Sequence, residues 1–278
     1  MPSRQFAFAA PQLKELKLIG VAVDFSSPLF HNLHLLSLDL KEHEPQAIKH
    51  IIHQILRQSP HLKRLFVQKP RFRPLLENPR PVNEETLSHT SLVDLHLDFE
   101  GAVLDAIVFS TRFPSLRSFH SGYKNRLTLN NWHLPVLAGN SPFPSLQTIA
   151  LSGNPHDRQP DRHLANALRT LASLKRLELQ LFDMTHVADA LLALGDSCPQ
   201  LEALTFLQCT GIDLNQVRST VDMRLRVDGM TELLELDIYG GIITTNYPEL
   251  KATKAWLKEH VKDVTLWVDH GAGVPSPM

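Results

Sequence analysis

The sequence predicts an α/β solenoid: a right-handed, horseshoe-like arc of about ten short repeats, with parallel strands on its concave face and helices and loops on its convex face. Three observations carry that reading. An apolar frame, L-x-x-L-x-L, returns along the chain; its spacing is nearly constant; and several segments between its copies carry apolar residues at helical period. The first copy is Leu13, Leu16 and Leu18, in the stretch that begins Pro11-Gln12.

The later copies follow in order. They are Leu33/Leu36/Leu38, Leu62/Leu65/Val67, Leu92/Leu95/Leu97, Leu116 with Phe119, and Leu146/Ile149/Leu151. Beyond them come Leu174/Leu177/Leu179, Leu201/Leu204/Phe206, Leu233/Leu236/Ile238 and Val261/Val264/Leu266. Pro11, Pro60, Pro114, Pro144 and Pro199 each stand two residues ahead of a leading leucine. The successive gaps are 20, 29, 30, 24, 30, 28, 27, 32 and 28 residues. Most sit at or just above the roughly 20–29-residue period of leucine-rich repeats. One match carries no weight, because leucine is common; ten at this spacing do.

Side-chain geometry explains the frame. Alternate residues of a strand point to opposite faces, so the two leucines of L-x-L face inward and their neighbours face outward. The leading leucine turns into the core where the chain enters the strand. Each repeat leaves an apolar edge that the next one covers. The intervening segments return the chain along the other side. Residues 45–57 carry Ile48, Ile51, Ile52, Ile55 and Leu56 at helical spacing behind Pro45. Residues 102–110 carry Val103, Leu104, Ile107 and Val108, and residues 161–171 start at Asp161 as a cap. Thr185 is read as the cap of a helix carrying Val187, Ala188, Leu191, Leu192 and Leu194. Residues 213–223 and 249–260 are further helix candidates. Residues 69–90 and 122–143, rich in proline and turn residues, read as loops or single-turn helices. Helices are wider than strands, so the slices are wedges and the stack curves. The domain reading is a lead-in over 1–10, repeats over 11–268 and a flexible tail over 269–278.

Composition narrows the function. A net charge of -1 on 278 residues points to neither nucleic acid nor an anionic membrane as partner. Two cysteines, Cys198 and Cys209, are too few for a secreted disulfide framework and too far apart for a zinc pair, so both read as small core residues. The apolar run Phe6–Ala10 is shorter than the roughly 7–15 residues of a signal-peptide core, and no run reaches the ~20 residues of a membrane span. Cytoplasm or nucleus is the expected location. Neither a glycine-rich phosphate loop, a G-x-S-x-G elbow nor an H-E-x-x-H pair occurs, so the expectation is a binding protein without cofactor, metal or catalysis.

The chain resembles the repeat region of F-box proteins, the irregular fungal ones in particular. The likeness rests on the L-x-x-L-x-L frame, on the prolines in Ser59-Pro60-His61-Leu62 and Cys198-Pro199-Gln200-Leu201, and on the cysteine-bearing run Leu201 to Cys209. The resemblance implies recognition of substrates for a cullin ubiquitin ligase. It implies contact with the ligase adaptor only if an F-box precedes Met1, since a first repeat at residue 11 leaves no room for one. The position after the strand, where such repeats carry Asn or Cys, is filled that way only by Asn154 and Cys209. A stand-alone regulator or inhibitor of a protein partner is the alternative.

The frame also locates a binding face. Its middle row reads Lys17, Ser37, Phe66, His96, His120, Ala150, Glu178, Thr205, Asp237 and Thr265. The row that follows includes Ile19, Asp39, Gln68, Asp98, Ser152, Gln180, Leu207, Tyr239 and Trp267. Phe66, Tyr239 and Trp267 are candidate anchors, because rigid aromatics dominate many interfaces. The competing reading buries Trp267 under the tail and Phe66 under the proline-rich loop. His96, His120, Glu178 and Asp237 complete the candidate contact set. Asp94, His96, Asp98 and His120 also form a conceivable metal or catalytic cluster, though alternating polar residues are what an exposed strand face produces anyway. Lys69, Arg71, Arg73 and Arg80 form a basic loop, read chiefly as solvated surface and otherwise as a grip on an acidic partner.

Overall fold

The computed structural model describes residues 12–19, 21, 23–40, 45–68, 87–98, 107, 110–121, 143–153 and 162–268. The expected helix over 102–110, the Asp161 cap, the irregular segment 122–143, the basic loop from Lys69 to Arg80 and both termini lie wholly or mostly outside these residues. The strands are β1 (Glu15–Ile19), β2 (Leu35–Asp39), β3 (Arg64–Gln68), β4 (Leu87–Ser88), β5 (Asp94–Asp98) and β6 (Thr111–Arg112). They continue with β7 (Ser118–Ser121), β8 (Thr148–Ser152), β9 (Arg176–Gln180), β10 (Ala203–Leu207), β11 (Glu235–Gly241) and β12 (Asp263–Val268). Ten of them form one sheet in the order β1-β2-β3-β5-β7-β8-β9-β10-β11-β12. Every adjacent pair in that sheet is parallel. Parallel neighbours in chain order require a crossover after each strand, which the helices and loops supply.

The predicted frame is the core. In the eight copies from Leu33 to Ile238, the leading residue and both inward strand positions are buried, including Ser121 where the Leu116 copy lacks a final apolar residue. At the ends, Leu13, Leu16, Leu18, Val264 and Leu266 are only partly covered. A buried leucine cut to alanine typically costs ~2–5 kcal/mol, so each copy contributes heavily.

A recurrent hydrogen bond ties the slices together. The amides of His34 and Leu35 both donate to the Lys14 carbonyl, at 2.7 and 3.1 Å. Those of Lys63 and Arg64 donate to His34, and those of Val93 and Asp94 to Lys63. The pattern continues at 117/118, 147/148, 175/176, 202/203 and 234/235, each pair taking the carbonyl one repeat back. The Cys209 thiol adds a rung, donating to the Leu179 carbonyl at 3.2 Å. Cys198 and Cys209 are both buried, and burial pushes each thiol up to about 11.

Among the described residues, five helices lie on the other side: α1 (Pro45–Gln58), α2 (Arg162–Leu168), α3 (Ala188–Asp196), α4 (Leu214–Arg226) and α5 (Tyr247–His260). In the first gap of 20 residues the described residues form a 3-10 turn, Pro28–Phe30, whose Phe30 ring is buried. Two expectations change. Thr185 does not cap α3: its amide and hydroxyl both donate to Asp183 Oδ1, at 3.1 and 2.7 Å, and the helix starts behind Val187 with no side-chain cap. A local Asp-x-Thr turn has captured the threonine. Residues 87–88, read as loop, form β4 and pair in parallel with β6 in a two-stranded sheet of their own.

Arg224, in the last turn of α4, is buried with no carboxylate partner among the described residues. Its guanidinium donates to the carbonyls of Leu194 (2.7 Å), Ser197 (3.1 Å), Cys198 (3.3 Å), Leu201 (3.1 Å) and Thr231 (3.0 Å). It thereby satisfies the end of α3 and the turns leading into β10 and β11. Burial lowers its pKa, yet a guanidinium stays charged. Arg224→Met takes the donor from the carbonyls of Leu194, Ser197, Leu201 and Thr231, while Cys198 keeps the Leu201 amide, and is expected to cost about 3 kcal/mol or more, read as a lower urea midpoint; Arg224→Lys recovers only part of it.

His89 supplies a pH dependence. It is buried, its Nε2 donates to the Ser59 carbonyl at 3.0 Å, and burial lowers its pKa, the bonds to backbone opposing. The unfolded chain accepts a proton near the ordinary value of 6.5 that the folded chain resists. Its neutral form therefore costs nothing above that value, and stability falls as pH drops below it. Urea midpoints at pH 7.5 and 5.5 are expected to differ less in His89→Gln than in the parent chain.

Candidate functional site

Register turns the outward positions of the sheet into rows, two of them continuous across all ten strands. The middle row pairs Lys17 with Ser37, Ser37 with Phe66, Phe66 with His96, and His96 with His120. It runs on through Ala150, Glu178, Thr205 and Asp237 to Thr265. The row after it pairs Ser152, Gln180, Leu207, Tyr239 and Trp267 in turn. A further row, just before the first inward strand residue, carries Glu15, Leu35, Arg64, Asp94, Ser118, Thr148, Arg176, Ala203, Glu235 and Asp263. Sequence reasoning passed over most of that last row, although the frame marks it as clearly as the others. Neighbouring strands stand ~4.8 Å apart, so the rows fix side chains at even intervals.

Phe66, His96 and His120 form a ring ladder. Their centroids lie 6.0 and 5.7 Å apart, and the two imidazoles stack at 15°. Phe66 is half-buried. His120 Nε2 shares a hydrogen bond with Ser118 Oγ at 2.8 Å. Burial lowers the pKa of His96, the neighbouring His120 adds to that, and Asp94 opposes it. Asp94, His96, Asp98 and His120 do not converge as a metal cluster: among the described residues no three His, Cys, Asp or Glu side chains are placed to hold a metal ion.

The remaining candidates fall toward the other end of the sheet. Glu178 and Asp237 sit two strands apart in the middle row, with Thr205 between them. Tyr239 and Trp267 are adjacent in the next row and are 39% and 74% exposed, so Trp267 stands clear of the described residues. Two ion pairs cross the face, Arg64 with Glu15 at 3.5 Å and Arg176 with Glu235 at 3.3 Å. The seven candidate contact residues thus share one face but form two groups rather than one cluster. Among the described residues, no helix is long and apolar enough to cross a membrane.

Among solved structures the chain is similar to a protein from Bacteroides fragilis, at 13% identity and TM-score 0.44, over 90% of this chain and 60% of that one. It is similar to the TLR13–ssRNA13 complex at 14% identity and TM-score 0.43, over 94% and 41%. It is also similar to the leucine-rich repeat-containing protein LegL7 from Legionella pneumophila at 12% identity and TM-score 0.41, over 96% and 93%. The chain spans 60% of the first of these and 41% of the second. No family model and no curated protein matches the sequence. The chain has a leucine-rich-repeat fold. That statement rests on its own strand order, register and buried frame.

The ladder yields a measurable expectation. In an NMR titration, the His96 midpoint falls below 6.5. Replacing the neighbour, His120→Asn, moves it upward but not fully back, because burial remains the larger cause.

Proposed function

We propose that the open face of the ten-stranded sheet is a protein-binding surface, and that the chain works by recognition rather than catalysis. One observation carries this reading: an in-register display of outward side chains that ends in two exposed aromatics, Tyr239 and Trp267. Exposed large aromatics on a rigid support bind with little loss of conformational entropy. Phe66, His96, His120, Glu178 and Asp237 are the further contact residues. A fold of this kind hosts many functions, so the reading stands on the face and not on the scaffold.

The finer reading is recognition of substrates for a ubiquitin ligase. It is supported by the F-box-like form of the repeats, seen at Ser59–Leu62, Cys198–Leu201 and Leu201–Cys209. The alternative is a stand-alone regulator of a protein partner.

Affinity capture from source-cell lysate, with mass spectrometry, tests both. A specific partner is expected to bind the parent chain and to be depleted at least tenfold by the Phe66→Ala/Tyr239→Ala/Trp267→Ala variant, given that single anchors commonly carry about 2 kcal/mol or more. Cullin and its adaptor among the captured proteins support the ligase reading, and another partner lost in the variant supports the stand-alone one. A partner set unchanged by the triple variant refutes Phe66, Tyr239 and Trp267 as the anchors.

A further inference from the structure

The outward charges of the sheet are not evenly spread. Over β9 to β12 the outward positions hold four carboxylates, Glu178, Glu235, Asp237 and Asp263, against a single guanidinium, Arg176. That guanidinium is already engaged with Glu235 at 3.3 Å. Glu178, Asp237 and Asp263 have no ion-pair partner among the described residues. The outward positions of the other six strands hold four carboxylates, Glu15, Asp39, Asp94 and Asp98, against two cations, Lys17 and Arg64, so the excess is densest over β9 to β12. Beside Asp237 and Thr265, one step along the strands, stand the exposed rings of Tyr239 and Trp267.

Carboxylates next to exposed aromatic faces suit one kind of ligand group. An arginine or lysine side chain meets opposite charge at the carboxylate and the negative quadrupole of a ring nearby. A phosphate backbone meets repulsion. Glu178 and Asp237 are separated by two strand steps, roughly 10 Å. An occupant that neutralises both therefore carries at least two cationic side chains about that far apart.

We infer that the β9–β12 end of the open face docks a basic protein segment, its arginine or lysine side chains paired with Glu178 and Asp237 and bracketed by Tyr239 and Trp267. The inference rests on the proposed role of the open face and adds the chemistry of the partner. Such a contact is salt-dependent, because part of it lies at an exposed surface.

The test is fluorescence anisotropy of the full chain with a fluorescein-labelled peptide of Arg-Ser-Gly repeats, a Glu-Ser-Gly peptide of equal length, and single-stranded RNA. The arginine peptide alone is expected to bind, more weakly as salt rises. Its affinity is expected to fall about tenfold in Glu178→Gln/Asp237→Asn and in Trp267→Ala. Asp189→Asn, on α3 and away from the sheet face, leaves it unchanged. Circular dichroism confirms that each variant is folded. No binding of the arginine peptide, equal binding of the acidic peptide or RNA, or indifference to Glu178→Gln/Asp237→Asn overturns the inference.

Ala150→Arg separates the two levels of failure, because it plants a long side chain in mid-row. If this variant and the aromatic triple variant both lose the captured partner while the arginine peptide fails to bind, the face is right and its cationic partner is wrong. If the partner survives both, the face itself is wrong and the inference falls with it.

Discussion

A parallel strand paired in register with both neighbours has no freedom to slide, and everything else in this molecule follows from that constraint. A slip of one residue would turn each inward leucine outward. The repeated capture of two successive amides by one carbonyl of the preceding repeat fixes register before the strand begins. Below the sheet, each apolar frame covers the edge of the next, so hydrogen bonding and burial demand the same alignment. The helices and loops then need only span the gap, and their lengths vary freely from the 3-10 turn at Pro28–Phe30 to the fourteen-residue α1.

This division decides what could be read from the residues alone. The sheet was legible because its rule is local: L-x-x-L-x-L states which side chains are inside, and the outward rows follow by alternation. Phe66, His96 and His120 fall on adjacent strands as the frame requires. Helix α1 was legible for the same reason, with Ile48, Ile52 and Ile55 buried at helical spacing. The misreadings arose where two local preferences competed. Thr185 is a good cap by type, but Asp183 two residues earlier offers it a closer acceptor. The β4–β6 pair spans two residues in each strand, too few for any pattern to show.

Arg224 belongs to neither class. Its position on the stripe of Leu214, Val217 and Val221 placed it on the buried face of α4, and helical spacing alone indicates this. What spacing leaves open is why a charge is tolerated there. The answer lies in tertiary structure, where the turns before β10 and β11 and the end of α3 leave carbonyls that no helix or strand satisfies. The face candidates show a similar limit. Rows can be written down from the frame, but the exposure of Trp267 and the engagement of Arg176 by Glu235 depend on neighbours three repeats wide.

The reach of that one guanidinium has a mechanical side. In a stack whose members touch only their neighbours, stability is close to a sum of single-repeat and nearest-neighbour terms, and repeats can come apart one at a time. Arg224 reaches carbonyls from Leu194 to Thr231, so a single side chain spans the junctions on both sides of β10. The slices that carry Glu178, Asp237 and Tyr239 are thereby stitched into one cooperative block. Opening any one of them breaks bonds that hold its neighbours, so these slices open together rather than one at a time.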